Sequence, residues 1–147
     1  MNQNVNHVDH VVWASHPETL LENMARLSEL TGQQLMGPYD RPDIGARICL
    51  SWEGGIELVS PLDVVTPMAD ALRNHLSIKG EGLFAMIFGV PDIMDAKARA
   101  DKIGYQTSDI IESTGSEPWC HKTAVMKESV VGTFMGSLFL YGEILYN

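Results

Sequence analysis

Val8-Asp9-His10-Val11-Val12-Trp13 and Gly82-Leu83-Phe84-Ala85-Met86-Ile87-Phe88-Gly89-Val90 are the two stretches on which the fold turns. Each is a short apolar run of strand length, and each is followed by a helix signal. After the first, Ser15 with Glu18 three residues on reads as a capping box. Leu20, Leu21, Met24, Leu27 and Leu30 then recur at helical spacing, and Gly32 is placed to stop the helix. After the second, Pro91-Asp92 opens a helix with Asp92 as its cap. Ile93, Ala96, Ala100 and Ile103 share one face, and Gly104 closes it.

Three strand-like pieces follow each helix. In the first half they are Gln33–Pro38, Ala46–Trp52 and Ile56–Ser60, with Glu53-Gly54-Gly55 as a hairpin turn. In the second half they are Thr107–Glu112, Thr123–Val131 and Ser137–Tyr146, the last preceded by the glycine-rich Gly132–Gly136. A short helix over Thr66–His75 joins the halves. The predicted order is β-α-β-β-β twice, an α+β chain built by duplication, because neither unit alone covers its sheet. One domain over residues 1–147 is expected. Module one spans about 7–62, a linker about 63–81, and module two about 82–147.

With 45% hydrophobic and 20% charged residues, the composition is globular. The net charge of −9 and the absence of any Lys/Arg cluster argue against a nucleic-acid partner, since a phosphate backbone would be repelled. No apolar run is long enough to cross a bilayer, so no membrane partner is expected. Met1–Asn6 has neither the basic nor the apolar region of a signal peptide. Cys49 and Cys120 have no metal-site spacing, and a reducing, cytoplasmic setting is the simplest expectation.

Polar residues inside apolar strands carry the chemical information. His10, Glu57 and Glu143 stand out. By strand alternation Val8, His10 and Val12 share a side; Glu57 shares one with Val59; Phe139, Tyr141 and Glu143 share another. If the aliphatic residues opposite them meet helices, the polar set faces an open, partly wet side. Each also has a plain structural reading: His10 as a core histidine on a carbonyl, and the two glutamates as exposed residues of a half-solvated sheet. Arg47 is a further candidate. Trp119-Cys120-His121 lies in a loop after Gly115 and Pro118, and is either an ordinary exposed loop or a lid.

A strand Val-Asp-His-Val-Val, a helix, and a strand Ile56-Glu57-Leu58-Val59-Ser60-Pro61 resemble the first module of methylmalonyl-CoA epimerases and glyoxalase I, of the vicinal-oxygen-chelate superfamily. Gly82–Ile93 is similar to their fifth strand and helix entry, and Gly142-Glu143-Ile144-Leu145 to their closing strand. The resemblance implies a curved mixed sheet around a cup, a small-molecule substrate and a homodimer. It also implies a divalent metal (Zn, Ni, Co, Mn or Fe) on four strands. Carried over by position, the ligands are His10, Glu57 and Glu143, with Ala85 where the fifth-strand ligand belongs. His121 is a possible replacement. With a metal, carbonyl polarisation acidifies the adjacent C–H, and Glu143 or His10 moves the proton.

The epimerases' third-strand carboxylate falls near Arg47. Arg47 cannot be a base but can clamp a substrate carboxylate or enolate, which argues against a two-base epimerase. Val59, Ile87, Phe139 and Tyr141 would line the cup. The leading expectation is an isomerase, epimerase or lyase acting beside a carbonyl. The alternatives are a metal-free protein that sequesters a small hydrophobic or antibiotic-like ligand, and an iron extradiol-type dioxygenase.

Overall fold

The computed structural model describes residues 4–147. It contains eight strands and three α-helices. In order these are β1 (His7–Ala14), α1 (Leu20–Thr31), β2 (Met36–Arg41), β3 (Ala46–Ser51), β4 (Ile56–Pro61) and α2 (Pro67–Lys79). Then come β5 (Gly82–Gly89), α3 (Ile93–Lys102), β6 (Ile111–Glu112), β7 (Thr123–Phe134) and β8 (Ser137–Tyr146). This is the expected β-α-β-β-β repeat with a helical linker. None of the helices is long and apolar enough to cross a membrane.

The chain falls into two compact units. One is residues 10–84; the other joins the segment ending at Asp9 to residues 85–147. The boundary lies inside β1 because its first residues bond to the second half of the sequence. Asn6 donates its N–H to the Gly89 carbonyl at 2.7 Å, and the Tyr146 hydroxyl lies 2.7 Å from an Asp9 carboxylate oxygen.

In the unit of residues 10–84 the strands run β2-β3-β4-β1. β3 is antiparallel to β2 and β4, and β1 lies parallel to β4 with Val12 opposite Glu57. α1 covers one face. Leu20, Leu35, Cys49 and Leu58 form its buried core, with Trp13, Met24 and Leu27 against it. Alternation therefore turns Val12, Ile48, Leu50, Glu57 and Val59 to the other face.

The second unit repeats the topology as β5-β8-β7-β6. β5 is parallel to β8 with Ile87 opposite Leu140, and β7 is antiparallel to β8 and β6. Ile93 and Ala96 of α3 form a buried core with Val90, and Phe88, Ile110 and Tyr141 pack against it.

Local signals held in part. Gly32 adopts the left-handed conformation that ends α1, and Asp92 accepts the N–H groups of Met94 and Asp95 as the cap of α3. The capping box at Ser15 does not form. A 3-10 turn occupies Pro17–Thr19, and α1 begins at Leu20. The carboxylate that serves this corner is Glu81, not Glu18. One oxygen, Oε2, accepts from the Ser15 hydroxyl, the His16 N–H, the Thr19 hydroxyl and the Asn23 amide at 2.6–2.9 Å.

β2 starts later than predicted because its pairs are Tyr39 with Ile48 and Asp40 with Arg47. β6 shrinks to two residues because Ser108 binds Val130 through its side chain as well as its N–H. Leu30 and Ile103, placed by spacing on buried helix faces, are exposed at the helix ends.

Candidate functional site

β1 and β4 place two of the expected residues together. His10 Nε2 lies 3.1 Å from Glu57 Oε2, with side-chain exposures of 5% and 20%. The parallel register causes this. Val12 sits opposite Glu57, and His10, two residues earlier, points to the same face. The Trp52 ring stands edge-on to the imidazole at 5.4 Å, across a 75° interplanar angle. Leu50, Ser51 and Ile56 complete a small, partly open cleft beside the pair. Glu57 Oε2 faces the imidazole.

An imidazole against a carboxylate, with one carboxylate oxygen left over, is an acid/base couple. At 3.1 Å an N–H on Nε2 is within reach of Oε2 and fixes the carboxylate's orientation. Val12 and Val59 flank Glu57 on the same face and give it apolar walls; both are buried.

Glu143, Phe139 and Tyr141 do share one side of β8, but it is the side covered by α3. Glu143 Oε2 accepts the N–H of Ile93 at 2.9 Å, in the first turn of that helix. Phe139 stacks on Phe88 at 6.2 Å and meets Tyr141 edge-on at 5.7 Å. The expectation of an open side for these three is corrected. The positive end of the helix accommodates the carboxylate, and the aromatic rings build the core beneath it. The opposite face of β8 carries Leu140, Gly142 and Ile144, next to Ile87 of β5.

Arg47 shares its side of β3 with Cys49, in the core under α1, and so faces away from Glu57. Its guanidinium forks onto Asp40 at 2.6 and 3.0 Å, and this hydrogen-bonded partner holds the Asp40 carboxyl below its ordinary range. His121 lies exposed in a short 3-10 turn of the other unit, its carbonyl accepting from the Asn147 amide.

Ala85 is buried and brings no donor atom. Among the described residues no group of three or more His, Cys, Asp or Glu side chains is placed to hold a metal ion. His10 and Glu57 supply two donors, fewer than the three or four protein ligands of a well-held first-row metal. Of the expected set, His10 and Glu57 face one another and Glu143 is taken up by the Ile93 N–H; two donors do not by themselves fit the implied metal.

Trp52 and Leu50 had not been singled out from sequence. The usable signal was the hairpin Glu53-Gly54-Gly55, which returns β4 along β3 and sets Trp52 beside Glu57.

The fold is the one found in methylmalonyl-CoA epimerases, a glyoxalase-type α+β arrangement of two βαβββ modules. The epimerase of Mycobacterium tuberculosis superposes with a TM-score of 0.68 at 21% identity, over 97% of this chain and 91% of that one. A Streptomyces coelicolor methylmalonyl-CoA epimerase variant bound to 2-nitronate-propionyl-CoA gives 0.69 at 17% identity, over 95% and 97%. Hypothetical protein BH1468 of Bacillus halodurans gives 0.69 at 19%, over 92% of each chain. At such identities the likeness establishes the fold. No family model and no curated protein matches the sequence.

Proposed function

We propose that this protein is a small-molecule isomerase or epimerase that removes and returns a proton on the carbon beside a carbonyl. Glu57 is the proton carrier and His10 is the partner that holds it. The observation carrying this reading is the 3.1 Å approach of His10 Nε2 to Glu57 Oε2 on a strand face otherwise lined by Val12, Leu50 and Val59. Glu57 Oε1 takes the proton as the C–H electron pair moves toward the carbonyl oxygen; protonation of the enolate on its other face, with solvent as the donor, gives the epimer, and Glu57 returns its proton to solvent. Glu143 has no part in it, being bonded to the first turn of α3, and neither has Arg47, which lies on the Cys49 side of β3 and is paired with Asp40. The epimerase fold supports the same class of reaction, and one such epimerase is known bound to methylmalonyl-CoA.

The test is deuterium uptake from D2O, followed by mass spectrometry. The probes are methylmalonyl-CoA and a panel of branched acyl thioesters and 2-oxo acids. Wild-type protein is expected to exchange one of them, with Glu57→Gln slowed at least about 100-fold and still folded. Equal exchange in both proteins, or none by wild type across the panel, overturns the proposal.

A further inference from the structure

The two modules share one topology, so their strands compare position by position. In the first, Val12 of β1 pairs with Glu57 of β4; in the second, Ile87 of β5 pairs with Leu140 of β8. Setting Val12 against Ile87 sets His10 against Ala85 and Glu57 against Leu140. Ala85 and Leu140 are 5% and 4% exposed and offer no donor. Glu143 lies three positions past Leu140, and an odd step along a strand reverses the face. Its bond to Ile93 shows that reversal directly. The duplication has therefore kept its reactive pair in one copy only.

What remains is one imidazole and one carboxylate, turned on each other. To ligate a cation, Nε2 must carry a lone pair and leave the carboxylate. The cation's other positions would be left to water, because Leu50, Trp52 and Ile56 beside the pair bring no side-chain ligand. Two side-chain donors fall short of the three or four that hold a first-row metal.

We propose that the His10–Glu57 couple is a metal-independent acid/base site, confined to the first module. The chemistry rests on the proton-transfer reading above; the absence of a cation site does not. The imidazole N–H holds the carboxylate in place of a metal, and proton transfer needs no electron acceptor or donor. The O–H bond formed on Glu57 replaces the C–H bond broken, and Glu57 gives that proton to solvent when the enolate takes a new one.

The test uses the whole protein, purified and dialysed against metal-free buffer. Cobalt is added and followed by its visible d–d absorption, with elemental analysis alongside. No saturable one-to-one binding is expected at micromolar Co2+, and metal content should stay far below one per chain. Stoichiometric Co2+ with d–d bands that vanish in a folded His10→Gln variant overturns the inference. So does deuterium exchange that collapses with EDTA and returns with Co2+. Exchange that survives EDTA supports it. If wild type exchanges no probe and binds no Co2+, the proton-transfer reading fails and the inference about the cation stands.

Discussion

The Glu143 carboxylate and the Ile93 main chain meet at 2.9 Å across fifty residues of sequence, tying β8 to the first turn of α3. The bond satisfies a helix N–H that has no partner within the helix, at the end where a negative charge is favoured. Glu143→Ala should therefore act on stability. A loss of about 1–2 kcal/mol is expected, a fall of a few degrees in Tm, with deuterium exchange unchanged. Thermal melts and exchange rates on the same samples decide. A large loss of exchange in a well-folded Glu143→Ala protein would return Glu143 to the reaction.

His10 and Glu57 should separate in the opposite way. Glu57→Gln keeps the shape and removes the base, so exchange falls by about two to four orders of magnitude while Tm moves little. His10→Phe leaves Glu57 Oε2 without its partner on a mostly apolar face. It should cost about 1–3 kcal/mol and also slow exchange, because the carboxylate loses its fixed orientation. Urea midpoints and exchange rates for both variants check the contrast.

The Glu81 cluster makes a prediction about a corner rather than a site. Four donors converge on Oε2. The Thr19 hydroxyl leads them in lowering the carboxyl's pKa, helped by Ser15, His16 and Asn23 against the opposing effect of burial. Glu81→Ala should loosen residues 15–23. Hydrogen exchange at the His16 and Thr19 amides should rise there, with α3 unaffected. Uniform protection in the variant would show the corner held by other contacts.

Much of the fold was legible because its signals are local. Gly32 and Asp92 act at the positions their chemistry indicates, and the apolar runs at 8–13 and 82–90 are strands. The approach of His10 to Glu57 was legible too, since both are isolated polar residues on strands whose apolar neighbours define a face. β8 misled because both of its faces are apolar. Phe139 and Tyr141 on one side and Leu140 and Ile144 on the other offer no contrast, so polarity alone assigned Glu143 to solvent. Its partner, the Ile93 N–H, is a backbone group fifty residues away. The donor set of Glu81 is likewise more than fifty residues from it, beyond any local pattern.

Glu117 supplies the acid limb of stability. Burial alone would raise its carboxyl, but the Thr114 N–H, the Ser113 hydroxyl and further donors outweigh burial and hold it at about 2. A depressed carboxyl contributes stability above its ordinary value of 4.5 and loses that contribution as pH falls toward 2. The shift corresponds to on the order of 3 kcal/mol at neutral pH. Urea midpoints of wild type and Glu117→Gln should differ most at pH 7, converge between pH 4.5 and 2, and differ little below. A constant gap across that window would place the stabilisation outside Glu117 ionisation.

Cys49 and Cys120 should react very differently with a thiol reagent. Cys49 is wholly buried under α1, and burial pushes its thiol up to about 11; Arg47 draws it down and Glu57 adds to the rise. The thiolate is the reactive form, so at pH 8 only about one Cys49 in a thousand carries it, and no reagent reaches the sulfur without opening the core. Cys120 sits half-exposed in the turn after Trp119. A disulfide reagent should therefore titrate one thiol in the native protein and two after denaturation, the second appearing at the rate of unfolding. Cys49→Ser would put a hydroxyl among Leu20, Leu35 and Leu58 and cost about 1–3 kcal/mol, whereas Cys120→Ser should be close to neutral. Two fast native thiols would mean that α1 lifts from the sheet far more readily than its packing on Trp13, Cys49 and Leu58 allows.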